Sequence, residues 1–288
     1  MRDRMARWIP DDPAELRGLA REGRWTSGTT GVCLGYLQAN LAVLPGRDAA
    51  DFRQFCLANP RPLPLVEAAE APDRLRVAPG ADLRTDLPRY RVYRNGQFAD
   101  EITDAGGLWQ GDMVAFLLGC SFTAEAALLA AGVRLRHLDL GQGVAMYVTG
   151  IECTPAGRFH GPVVVSMRPI RRDQVQLARD VTAAYPLAHG APLHAGDPAA
   201  IGIPDLSRPD WGDPIDIMPD ETPVFWACGV TPQAVIARVR PELAITHAPG
   251  YMFVTDVPED TIRGAVPVFA ERERASKARQ RGHRPAMS

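Results

Sequence analysis

Residues 134–168, RLRHLDLGQGVAMYVTGIECTPAGRFHGPVVVSMR, decide the reading of the fold, because apolar residues recur there at every second position between Gly and Pro turns. That period predicts three consecutive antiparallel strands, RLRHLDL, VAMYVTGIEC and GPVVVSMRP. From Arg171 to about Ala184 the pattern turns helical. Strands closed by one helix predict a small two-layer α+β unit over residues 133–185. Toward the N-terminus, residues 110–131 read as two helices meeting at GCSFT, and VCLGYLQANL (32–41) as another helix. RYRVYRNGQFADEI (89–102) is two strand-like runs around Asn95-Gly96, a strong hairpin signal. Asp48 opens a helix with Phe52, Phe55 and Cys56 on one face, and Asp12-Pro13 caps a helix running to Arg21. Toward the C-terminus, the Pro/Gly/Asp-rich stretch 189–222 is too long for an ordinary connection and predicts a functional loop. TPVFWACG is a buried-type strand, Thr231-Pro232 an N-cap and first-turn pair opening a helix, and YMFVTD a further strand. The expectation is an α/β main domain, residues 1–132 and 186–270, holding the α+β unit 133–185 as an insert. No internal sequence repeat is visible. Residues 271–288, with six basic and two acidic side chains, predict a disordered basic tail.

Composition narrows the function classes. With 288 residues, 46% apolar and 23% charged, the chain is globular and long enough for a full core. A formal net charge of -2 argues against a nucleic-acid partner. Five cysteines, at 33, 56, 120, 153 and 228, form no CxxC pair, which predicts reduced thiols and no structural zinc. The N-terminal residues show no apolar signal segment, and the longest apolar run, Met113–Leu118, falls far short of a bilayer span. A cytoplasmic protein with no membrane partner is expected. Only Lys277 among the 32 Lys and Arg residues is a lysine, and it lies in the tail. Schiff-base chemistry, which needs a buried neutral lysine, and the Walker lysine of ATPases are both improbable on that count.

Several loops carry residues suited to acid–base chemistry. TSGTTG (26–31), with Ser27, resembles the phosphate loop of AMP-forming ligases, but Val32 and Cys33 stand where that loop continues with proline and lysine. It can still hold a carboxylate through backbone amides, or be a capped turn. Gln38 and Asn40 end an apolar run and can face a pocket. LLGCSFTAEAALL places Cys120 and Ser121 at a helix start, where a thiolate is stabilised, although a buried cysteine usually only packs. FWACGVTPQ sets Cys228 at the end of a strand, with Gly229 allowing close approach to the backbone. HGAPLHAGDP supplies His189, His194 and Asp197, followed by Asp205, Asp210, Asp213 and Asp216; THAPG supplies His247. Imidazoles suit proton transfer near neutral pH. Arg84, in DLRTDLPRYRVY, can clamp a carboxylate bidentately.

Those motifs, TSGTTGVCLGYLQANL, DFRQFCLANPRPLPL, DLRTDLPRYRVYRNG, FLLGCSFTAEAAL, PAGRFHGPVVVSMRP, HGAPLHAGDPAAIGI and PVFWACGVTPQ with THAPG, occur in an order that resembles a bacterial hydro-lyase family related to the mitochondrial D-glutamate cyclase. The resemblance spans roughly residues 15–260. It implies a three-layer α/β/α main domain beside a two-layer one, and a cofactor-independent carbon–oxygen lyase that releases water. For the cyclase, D-glutamate closes to 5-oxo-D-proline. Such a reaction needs a clamp for the carboxylate, for which Arg84 is the first choice, and a base, for which His189 or His194 is suited. Backbone amides at Cys120–Ser121 or Cys228–Gly229 can meet the developing oxyanion. His247 or a loop aspartate can act as acid, and Cys228 as a nucleophile. Ser27, Asn40, Ser121, Gly229 and Asp213 complete the expected contacts to a small carboxylate substrate. Two other readings stand beside this one. One is a divalent-metal enzyme using His189, His194 and the 205–216 aspartates; the other is a non-catalytic carboxylate-binding partner in 5-oxoproline metabolism. A homo-oligomer is compatible with each.

Overall fold

The structure is a computed structural model that describes residues 9–109 and 111–265. The basic tail and Lys277 lie outside those residues. Asp12 caps the first helix, α1 (Pro13–Arg21), its side chain accepting from the Ala14 and Glu15 amides. There follow β1 (Tyr36–Leu44), α2 (Gly46–Ala58), β2 (Leu65–Ala69), the hairpin β3 (Tyr90–Arg94) and β4 (Gln97–Ile102), and β5 (Val114–Gly119). A 3-10 turn over Ser121–Ala124 leads into α3 (Glu125–Ala130), then α4 (Arg136–Leu140), β6 (Ala145–Glu152), β7 (Pro162–Arg171) and α5 (Val175–Ala183). The chain closes with β8 (His194–Ala195), β9 (Glu221–Ala227), α6 (Thr231–Val239), β10 (Leu243–His247) and β11 (Phe253–Pro258).

These elements build a mixed α and β protein with two sheets. The larger has the order β2-β5-β1-β10-β3-β4, with β11 beside β1; the smaller has the order β6-β7-β9-β8. Every described strand pair is antiparallel. The rule that ligands gather at the carboxyl ends of parallel strands therefore lends no support to Cys228. The smaller sheet also takes β8 and β9, so its strands run past residue 185, where the sequence placed a boundary.

Three local expectations fail for identifiable reasons. The run 32–41, expected as a helix, gives the central strand β1, and the first half of 110–131 gives β5; both are buried on both faces, which erases the alternation that marks a strand. RLRHLDL, expected as a strand, forms the short helix α4, which Gly141 closes in the left-handed conformation at φ 63°. Thr231 is not the cap of α6; Val230 is, and the Thr231 hydroxyl instead ties the turn to β7. The Asn95-Gly96 hairpin forms as expected, both residues having positive φ.

The sheets pack on each other. Ala42, Leu44, Phe116 and Leu118 of the larger sheet share one core with Tyr147, Val165, Met167 and Phe225 of the smaller, and α2 adds Phe52 and Phe55. The opposite face of the larger sheet buries Leu41, Val43, Leu117 and Ile245. On the outer face of the smaller sheet, Val224, Trp226 and Ile170 meet Leu128 of α3 and Ala178 of α5.

An internal repeat, invisible in the sequence, emerges from the topology. In β1–α2–β2 and again in β7–α5–β8, a strand leads through a helix to a strand two places away. A third strand, β5 or β9, runs antiparallel between them, giving the orders β2-β5-β1 and β8-β9-β7. Each inserted strand ends in Cys-x-x-Thr, and the two turns make the same hydrogen bonds. Cys120 N donates to Gln38 O (3.0 Å) and Cys228 N to Val164 O (2.9 Å). The Gln38 amide returns a bond to Thr123 Oγ1 (3.0 Å), and the Val164 amide one to Thr231 Oγ1 (3.1 Å).

Candidate active site

The two Cys-x-x-Thr turns lie close together. Asn40, on β1, donates to the carbonyls of Leu118 (3.2 Å) and Gly119 (2.8 Å), and it packs so tightly on Gly229 that a Cβ there would overlap its amide. Beside them the TSGTTG loop meets the 248–252 loop: Thr29 N donates to Gly250 O (2.8 Å), and Met252 N to Thr29 Oγ1 (2.9 Å). Gln38 Nε2 donates to the carbonyls of Thr29 (3.2 Å) and Val32 (3.0 Å), joining that loop to β1.

Beneath the first turn lies a buried ion pair absent from the sequence-level expectations. Arg168, on β7, is 2% exposed and Glu125, at the start of α3, is 0% exposed. Arg168 donates to Glu125 Oε1 from Nε (3.1 Å) and Nη2 (2.6 Å), to Ser121 Oγ (3.1 Å) and to Ser166 Oγ (3.2 Å). His137 Nε2 reaches the same Oε1 at 3.0 Å. The guanidinium stacks over Trp226 at 5.6 Å. Burial would raise the Glu125 pKa, but the Arg168 and His137 charges outweigh it and hold the carboxyl below its ordinary range. One signal for Arg168 was present: a lone cation in the apolar strand VVVSMRP, at a position alternating with the core.

The expected histidines separate. His189, held at φ 72°, is buried; its Nδ1 donates to Arg61 O (2.6 Å), and Nε2 has no protein partner. Burial, with the nearby Arg168 and Arg61 charges, brings its pKa down to about 4. His247 is also buried, with Nδ1 against the Leu41 peptide and Nε2 without a protein partner, and burial lowers it to about 4. Its carbonyl accepts from Gln233 Nε2 (3.0 Å), and Gln233 in turn accepts from Tyr93 (2.9 Å). His194 lies apart, stacked on Phe225 toward the shared core, with Nε2 2.7 Å from Asp197 O.

Other expected residues fall into place similarly. Burial pushes the Cys120 thiol up to about 12, with a contribution from Cys228, and the Cys228 thiol up to about 11, so neither is a thiolate near neutral pH. Arg84 is occupied by Asp82 through Nε and Nη2 (2.6 Å), away from the turns. Ser27 is half-buried in its loop, and exposed Asp213 accepts from Gly143 N (2.7 Å). Among the described residues no group of three or more His, Cys, Asp or Glu is placed to hold a metal ion. No helix among them is long and apolar enough to cross a membrane.

Three polar atoms on residues beside these turns, Gln38 Oε1, Glu125 Oε2 and His189 Nε2, are buried with no hydrogen bond from the protein, as is His247 Nε2 beside Leu41. Orphaned buried polar atoms are rare, and a cluster of them marks a place built to meet a polar ligand. Surface clefts of about 450, 570, 490 and 360 Å³ open elsewhere and none is lined by Cys120, Arg168 or Cys228; the 490 Å³ cleft reaches Gln233.

A family model described as D-glutamate cyclase matches residues 114–256. Three bacterial relatives carry the name "Putative hydro-lyase". That of Geobacillus kaustophilus is 53% identical over 88% of this chain and 97% of its own. That of Rhizobium johnstonii is 54% identical over 86% and 93%. That of Rubrobacter xylanophilus is 55% identical over 84% and 95%. A solved nitrogen repressor-like protein from Methanococcus jannaschii aligns with a TM-score of 0.36 at 10% identity over 82% of this chain and 92% of that one, too slight a likeness to bear on the fold.

Proposed function

Because this chain belongs to the D-glutamate cyclase family of hydro-lyases, we propose that it eliminates water from a small amino or hydroxy acid, with closure of D-glutamate to 5-oxo-D-proline as the specific form. In this reading it works in the cytoplasm without a cofactor. The observation that supports this placement of the reaction is the set of unpartnered buried atoms of Gln38, Glu125 and His189 beside the paired turns.

The substrate carboxylate meets Arg168 in place of the expected Arg84, whose fork is filled by Asp82. A guanidinium has five N–H groups, and the contacts to Glu125, Ser121 and Ser166 engage four of them. The amides of Ser121 and Gly229, at the openings of helical segments, face the developing oxyanion. Asn40 and the Ser27 loop enclose the ligand. In neutral His189 the donation from Nδ1 leaves Nε2 as the acceptor nitrogen, which meets the substrate ammonium next to the Gly119 backbone. Burial keeps this imidazole neutral in the free protein, with a pKa near 4. The aspartates of 205–216 take no part in this scheme, and a metal-dependent reaction has no set of ligands to support it among the described residues.

The test is incubation of the purified protein with D-glutamate, following loss of primary amine and appearance of 5-oxoproline. Turnover is expected. Failure with D-glutamate and with related amino and hydroxy acids would overturn the reading, and tight calorimetric binding without conversion would favour a non-catalytic carboxylate-binding role instead.

A further inference from the structure

We infer that Glu125 is the group that carries protons for the substrate, an assignment that rests on the water-eliminating reaction proposed above. The internal repeat supplies the argument. Glu125 and Gln233 each stand five residues beyond the cysteine of their turn, so the fold places them at equivalent positions. Both are buried. Gln233 spends its amide on structure, accepting from Tyr93 and donating to the His247 carbonyl. The fold thus works at this position with an uncharged side chain. At the other copy the chain keeps a carboxylate, which burial penalises, and it keeps Arg168 to compensate that charge where the equivalent position on β1 is Ala42. The first copy thus carries the desolvation cost of a buried ion pair that the second copy avoids.

The geometry gives a chemical reason for that difference. Oε1 of Glu125 takes all three contacts, from Arg168 Nε and Nη2 and from His137 Nε2, while Oε2 has no protein partner. One oxygen is fixed, and the other is buried with no hydrogen bond from the protein. The charged and titratable groups facing the carboxylate are Arg168 from β7, His137 from α4 and the Cys120 thiol at the end of β5. An arriving carboxylate draws on the same guanidinium and adds a like charge, which raises the proton affinity of Glu125 when substrate is bound.

In the cyclisation, Oε2 accepts a proton from the ammonium, the freed amine forms the C–N bond to the γ-carboxyl carbon, and Glu125 delivers that proton to the departing oxygen. A second proton follows the same route from nitrogen to oxygen. The C–O bond breaks, one water leaves, and Glu125 ends as the carboxylate it began as.

Glu125→Gln, which installs the side chain of the second repeat, tests this with D-glutamate as probe. Relative to the unaltered protein, kcat is expected to fall about 100- to 10,000-fold. KM should stay within about threefold, because the carboxylate contacts remain. The acid limb of the pH profile, where Oε2 takes up a proton in the free enzyme, should vanish in the variant; loss of a merely structural contact would leave that limb in place. Should the variant misfold, Glu125→Asp retains the charge and withdraws the oxygen by one methylene, and a kcat loss of at least about tenfold at unchanged KM is expected. A folded Glu125→Gln with near-normal kcat and an intact acid limb overturns the inference, as does loss of the fold in both variants. If the unaltered protein itself turns over none of the acids, the reaction fails rather than this assignment.

Discussion

At the scale of single residues, burial sets the chemistry more firmly than residue type does. His189 and His247 both drop to about 4 because a buried imidazole loses the water that would solvate its charge. An unfolded histidine titrates near 6.5, so between about pH 6.5 and 4 the unfolded chain binds protons that the folded one refuses. Stability from these groups is complete above that window and is lost as pH falls through it, on the order of 3 kcal/mol for each imidazole. Urea midpoints should drop between pH 7 and 4.5, and His189→Gln should reduce the slope. The thiols follow the same logic with the opposite sign of shift. All five cysteines are buried, and Cys120 and Cys228 are held protonated. Iodoacetamide at pH 8 should leave both unmodified in the native protein and alkylate them in urea, as read by mass spectrometry; rapid native labelling of Cys228 would revive its role as a nucleophile.

At the scale of elements, close backbone approaches fix the turns that make the site. A methyl on Gly229 would overlap the Asn40 amide, which is itself held by two carbonyls and cannot swing aside. Gly229→Ala should abolish turnover and cost about 1–3 kcal/mol through overpacking, measurable by activity and thermal unfolding together. Gly96, in the β3–β4 hairpin, offers a contrast. It sits at φ 74°, and a Cβ would lie 2.7 Å from Arg240 Cα and 2.8 Å from Ile236 O. Gly96→Ala should lower stability by a similar amount, about 1–3 kcal/mol, while kcat at 25 °C stays unchanged. The hairpin around Gly96 was legible because Asn-Gly dictates its own backbone. β1 and β5 were not, because strands covered on both faces carry no alternation to read. α4 was misread because five residues are too few to separate one period from another.

At the scale of the whole molecule, the two sheets share one core, with Phe116 and Phe159 both edge-on to Phe52. Neither sheet can open without exposing the other. Heating should therefore give a single transition with calorimetric and van't Hoff enthalpies in agreement; two resolved transitions would show that the sheets unfold independently. The sequence by itself determined the reaction family, through motifs kept in order, and the elements whose signals are local: the Asp12 cap, the Asn-Gly turn and the helix of residues 175–183. It also marked the two cysteine turns and Asn40. Only the tertiary structure decided that His194 faces away, and that Arg168 and Glu125, 43 residues apart, meet under Ser121. The repeat that pairs Glu125 with Gln233 was equally hidden. The reason is physical: a local signal is written in neighbouring residues, whereas the partner of a buried charge is chosen by which strands lie side by side.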